Sequence, residues 1–212
     1  MGTRELLLEA ALRRLAESGP EALQARKLAA EIGASTMAVY THFGNMTGLV
    51  QAIAAEGYDR FAAHLSAVPR TGDPVADLTA MGLAYRDFAL ANAHLYGVMF
   101  GTTEPGGHRL RAPDLTEADP LFLAGKEAFS LLVAAVERAG ETGRLEGESA
   151  VEVAAQIWSV AHGYCLLELA GYFGPDGEGV RSVLLPLCRK LLVGSGDAPE
   201  AARASVERAA ND

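Results

Sequence analysis

Hydrophobic residues recur every three to four positions along most of this chain, with polar residues on the opposite side of the same turns. Leu8, Leu12 and Leu15 line one face of a segment from Arg4 to Ser18. Thr3 is placed to cap its start and Gly19-Pro20 to stop it. The same rhythm predicts helices over about 25–32, 36–42, 46–67, 75–92, 94–100, 120–139, 148–172 and 177–193. Ser35 and Asn45 stand where the third and fourth of these need caps. On the last, Val180, Val183, Leu184, Leu187, Cys188, Leu191 and Leu192 form a broad stripe. Pro186 interrupts it, and a proline there should kink the helix or free a carbonyl. No segment alternates with the period of a strand, and alanine and leucine outweigh β-branched residues, so the expected fold class is all-α.

Periodicity stops and restarts at the proline- and glycine-containing stretch Pro69 to Pro74, where a boundary is expected. The division predicted is a small N-terminal domain over 1–48, a linking helix over 49–68, a helical bundle over 74–193 and a frayed polar tail over 194–212. Residues 101–119, rich in glycine, proline and charge, read as a long loop.

Composition refines this picture. Half of the 212 residues are hydrophobic, enough for a buried core. Cys165 and Cys188 both sit in apolar runs, which suits buried free thiols in a reducing compartment better than a disulfide. The first residues lack the basic region and cleavage site of a secretory signal. No apolar run reaches the roughly 18 residues a membrane span needs. The expectation is a soluble, cytoplasmic protein. The formal charge of −9 is unevenly spread. Arg4, Arg13, Arg14, Arg26 and Lys27 balance Glu5, Glu9, Glu17, Glu21 and Glu31 over residues 1–55, so the acidity lies beyond. A neutral head on an acidic body is compatible with nucleic acid without arguing for it.

Residues 25–43, ARKLAAEIGASTMAVYTHF, point to nucleic acid more directly. Two short helices joined by a glycine-containing turn form a helix-turn-helix pattern. Leu28, Ala29 and Ile32 face inward from the first helix, and Gly33 supplies the positive φ the turn demands. Val39 and Phe43 anchor the second. Ser35, Thr36, Met37, Tyr40, Thr41 and His42 are left on or near its outward face, where base edges and phosphates of a major groove would lie.

These residues resemble the TetR (tetracycline-repressor-like) family. The matching pieces are Ala10-Ala11, Gly19, Arg26-Lys27-Leu28-Ala29, Ile32-Gly33, Val39-Tyr40-x-His42-Phe43 and Leu49. Further on, Ile157-Trp158-x-x-x-His162-Gly163 and Leu166-x-Glu168-Leu169 resemble a C-terminal domain of the Trp-His-Gly type. The resemblance implies a helix-turn-helix DNA-binding domain joined to a ligand-binding and dimerisation bundle. Carried over by position, it implies that Arg26 and Lys27 reach DNA, that Thr36 and Met37 face bases, and that Tyr40 and His42 contact phosphates. It also implies a homodimer joined by the last two helices of each chain, a near-palindromic operator on double-stranded DNA and a small-molecule effector that releases it. Two positions depart from the pattern: Gln24 stands where a Thr or Ser caps the second helix, and Met46 where a phosphate-binding lysine opens the fourth.

The histidines are scattered, and no HxxxH or CxxC pair suggests a metal. Neither a nucleophile elbow nor a phosphate-cradling loop suggests an enzyme or a cofactor. Met81, Tyr85, Phe88, Met99, Phe100, Phe122, Phe129, Trp158 and His162 are the candidate lining of an apolar or aromatic effector site, with a plain helical core as the alternative for each. A ligand-independent regulator, an activator, a helical enzyme and a protein-binding module remain as alternative functions at this point.

Overall fold

In the computed structural model the described residues are 2–108, 120–146, 149–174 and 177–211, with backbone alone for 120–124. They form ten α-helices and no strand. The helices are α1 (Thr3–Ser18), α2 (Ala25–Glu31), α3 (Thr36–Phe43), α4 (Met46–Ser66), α5 (Pro74–Ala91), α6 (Ala93–Met99), α7 (Pro120–Glu141), α8 (Ala150–Leu169), α9 (Leu185–Gly194) and α10 (Pro199–Ala209). Two compact units emerge, one of Met1–Arg60 with Asn92–Lys126, the other of Phe61–Ala91 with Glu127–Asp212. They do not part at Pro69–Pro74. The division falls inside α4, and Pro69–Pro74 merely separates two helices. Residues 109–119 of the expected loop lie outside the described residues, and 105–107 form a 3₁₀ turn.

In the first unit, Leu7, Ala10, Ala11, Leu15, Leu28, Ala29, Val39, Leu49, Val50 and Ile53 are buried together as the hydrophobic spacing requires. Thr3 is the first helical residue and not the cap. The Gly2 N–H is held instead by Glu5 Oε2 at 2.7 Å. Gly19 ends α1 with φ 73°, and a 3₁₀ turn over Pro20–Ala22 carries the chain into α2. α6 belongs to this unit and packs on α1, burying Leu95, Tyr96, Val98 and Met99. At Gly57 a Cβ would come within 2.7 Å of Met99 Cγ, so the glycine is what lets α6 approach α4.

The core of the second unit joins Val75 and Leu78 of α5 to Val136 and Ala139 of α7, Val153 and Ala154 of α8, and Leu192 of α9. Ala202 and Val206 of α10 complete it. The tail expected to fray is therefore a helix docked on α5. Polar contacts hold it where apolar surface is scarce: Ser205 Oγ donates to Asp73 Oδ2 at 2.8 Å, and Arg208 Nη1 lies 2.6 Å from the same oxygen. Before α9, residues 180–184 take a π-helical turn, and Pro186 sits in the first turn of α9. The missing N–H of Pro186 thus falls at the change of ladder. Both cysteines are free thiols, and burial pushes Cys165 up to about 12 and Cys188 up to about 11.

Candidate nucleic-acid interface

α2 and α3 pack on each other and on α1, with Gly33 at φ 67° in the turn between them. α3 has one buried anchor, Val39, and a half-buried one, Phe43. Its other side is open. Ser35, Thr36, Met37, Tyr40, Thr41 and His42 are all exposed, Met37 by 68% and Tyr40 by 44%. Ser35 occupies the N-cap position but makes no side-chain cap bond; its carbonyl takes the Ala38 N–H at 2.9 Å. Thr41 turns its hydroxyl back to the Met37 carbonyl at 3.0 Å. Asn45 does cap α4, accepting the Gly48 N–H at 2.9 Å. Gln24, at the start of α2, makes no cap bond.

Charge is distributed selectively over this surface. Glu31 is gripped by Arg13 at 2.5 Å and by Arg14, and these hydrogen bonds, Arg13's first, hold its carboxyl below the usual range. Arg26 and Lys27 are exposed at the start of α2 and have no acidic partner among the described residues. Arg4, which hydrophobic spacing left unremarked, places its guanidinium 5.2 Å from the centre of the Phe43 ring.

The candidate effector residues divide between the two units. Phe129, Trp158, His162 and Tyr85 follow one another in the second unit. Ring centres lie 6.1 Å apart from Phe129 to Trp158 and 6.0 Å from Trp158 to His162, and Tyr85 Oη lies 3.1 Å from His162 Nδ1. Phe61 extends the series, 4.9 Å from Tyr85 and 5.1 Å from Phe88. Its place in α4 gave no reason to single it out from the sequence. Met81 lies on α5 in the same unit and is partly buried. Burial lowers the pKa of His162. In the same unit Arg86 grips Glu168 through Nε and Nη2, each at 2.7 Å. Met99 and Phe100 are placed elsewhere, in the first unit around Tyr58, whose hydroxyl donates to the Met99 carbonyl at 3.1 Å. The Phe122 side chain lies outside the described residues.

Residues 7–53 match the model of bacterial regulatory proteins of the tetR family, and residues 78–185, half of the chain, match that of a tetracyclin repressor-like C-terminal domain. The chain belongs to the TetR family. The first match takes in α2, α3 and the exposed side of α3, and the second includes Trp158, His162 and Gly163. Among TetR relatives, the HTH-type transcriptional regulator Rv0681 of Mycobacterium tuberculosis is 27% identical over 170 residues, 80% of this chain and 71% of that one. A protein of unknown function from Rhodococcus sp. RHA1 superposes with a TM-score of 0.74 at 27% identity, over 93% of this chain and 97% of the other. RolR, solved with resorcinol, shares the fold at 16% identity and a TM-score of 0.69, over 97% and 93% of the two chains. As a TetR-family member the chain is a DNA-binding transcriptional regulator and not an enzyme. Among the described residues no helix is long and apolar enough to cross a membrane.

Proposed function

We propose that this regulator is a cytoplasmic, homodimeric repressor. It holds a near-palindromic operator through paired α3 helices and releases it when a small apolar or aromatic molecule enters the C-terminal unit. The observation that carries the reading is the one-sided burial of α3: Val39 faces the core while Thr36, Met37, Tyr40 and His42 face out. Thr36 and Met37, in the first turn, take the base edges. Tyr40 and His42, with Arg26 and Lys27 of α2, take phosphates. Ser35 and Thr41 flank the same surface. Two-fold symmetry sets the two helices about one duplex turn apart, or a multiple of it.

The effector reading rests on the aromatic series from Phe129 to Phe88, in which Trp158 is exposed and Phe61, Tyr85 and Phe88 are buried, with Met81 in the same unit. Tyr85 and His162 add a polar pair that a neutral hydroxyl could join. The same fold holds resorcinol in RolR. α4, continuous from the DNA-binding head into the second unit, is the natural lever. An effector must favour one conformation over the other by about 1–3 kcal/mol or more to act.

The test begins with duplexes selected by the purified protein from a random pool. Selected sequences are expected to be near-palindromic, and Tyr40→Phe to weaken binding roughly tenfold through two lost phosphate contacts. Thr36→Ala should relax sequence preference at one position per half-site. If both variants bind like the parent, α3 is not the reading helix. Small phenols, resorcinol among them, are then titrated into the complex. Release by none of a broad aromatic panel would remove the effector and leave a ligand-independent regulator.

A further inference from the structure

Five cations occupy residues 1–55, and the fold withdraws two of them: Arg13 and Arg14 both close on Glu31. Of the remaining three, Arg26 and Lys27 stand on α2. The third is Arg4, in the first turn of α1, exposed and without an acidic partner among the described residues. Its guanidinium lies 5.2 Å from the centre of the Phe43 ring, on the last turn of α3. Tyr40 is one helical turn back on the same helix, and the exposed His42 is next to Phe43. The chain then turns through Gly44 and Asn45 into α4, whose first residue, Met46, carries no charge. One planar cation therefore lies against the last turn of the recognition helix, beside His42 and ahead of a start of α4 that carries no charge.

We infer that Arg4 is a phosphate-binding residue of the DNA interface, held in place by Phe43 and supplying the charge that the start of α4 lacks. The assignment rests on α3 entering duplex DNA. An arginine suits the role because its guanidinium can stack on the ring through one face while its N–H groups, in the plane, stay free for phosphate oxygens. Preorganisation by the ring lowers the side-chain entropy lost on binding. A role confined to stapling α1 to α3 would use the same stacking, so the two must be told apart by a charge readout.

That readout is the salt dependence of binding, measured by fluorescence anisotropy of the dimer on its selected duplex and on an unrelated duplex. Each phosphate contact adds about 0.9 to the slope of log affinity against log salt. Arg4→Ala is expected to lower that slope by about 2 per dimer and to weaken both duplexes alike, roughly tenfold at moderate salt. Arg4→Lys should keep the slope while binding less tightly. Arg4→Gln, closer in shape, repeats the alanine test should the alanine variant melt early. Slopes equal to the parent's in Arg4→Ala and Arg4→Gln, with the parent binding normally, overturn the assignment and leave a staple, visible only as a lower melting temperature. A parent protein that retains no duplex at all removes the DNA reading, and the role of Arg4 with it.

Discussion

Burial lowers the pKa of His162 beneath its ordinary 6.5. Proton uptake decides what this does to stability. Above 6.5 the imidazole is neutral whether the chain is folded or not, and it contributes no pH dependence. As pH falls through 6.5 the unfolded chain takes up a proton that the folded one resists, so stability declines until the lower folded value is reached. Melting of the parent is expected to weaken between about pH 7 and pH 5 more than that of His162→Gln. Identical pH profiles would mean that the ring is wetter than its packing shows. Asp77 acts in the same direction at lower pH. Burial opposes its charge, but hydrogen bonds from Thr71 and Arg138 more than offset that and hold its carboxyl below the usual value, so its contribution is lost in acid. Partnerships of this kind could not be read from the sequence. Tyr85 and His162 are 77 residues apart, and Arg86 and Glu168 are 82 apart. Spacing along a helix says nothing about pairs that only the packing of α5 on α8 creates.

Among the elements, α3 was legible because each of its determinants is local: Val39 and Phe43 at helical spacing, Gly33 in the turn before it, Asn45 as the cap of α4 after it. α10 was not. PEAARASVERA has no broad apolar stripe, and only Ala202, Ser205 and Val206 are buried. Its attachment is electrostatic as much as apolar: Asp73 receives Ser205 and Arg208, while Asp197, fully buried in its side chain, receives Arg144 at 2.5 Å. Ala202, Ser205 and Val206 do recur at helical spacing, but side chains this small make a narrow stripe that is easily passed over. Replacing Val206 by Asp should therefore destabilise the second unit by about 2 kcal/mol, since a polar group would replace methyl groups buried in the core with Val75, Leu78 and Leu192. A melting temperature unchanged by Val206→Asp would restore the frayed tail. The boundary expected near Pro69–Pro74 failed to mark the compact units for a related reason. Breakers report where helices end, whereas the grouping of α6 with α1 depends on contacts far apart in sequence.

At the scale of the whole molecule, α8 and α9 stand out for the apolar residues on their surface. They leave Val151, Trp158, Leu167 and Leu187 exposed in the single chain. α8 and α9, which correspond to the last two helices that the hydrophobic spacing predicts, are the pair expected to meet their copies in a four-helix interface. Leu187→Glu should convert a dimer at micromolar concentration into a monomer by light scattering. It should also cost about a hundredfold or more in operator affinity, because two half-sites would no longer be bound as one. A parent protein that is itself monomeric would remove the two-fold arrangement and with it the palindrome. The net charge of −9 belongs at this scale as well. With residues 1–55 neutral, the acidity of the remainder discourages any approach to DNA except through the head.

Trp158 is the only indole in the chain, and it stands on α8, 40% exposed between Phe129 and His162. Fluorescence excited in that indole thus comes from a single known address. Emission should move to the blue when a second chain or a small guest shields the ring from water, and dim when the neighbouring imidazole gains its proton. The protein carries its own lamp, and no label need be attached to watch it work.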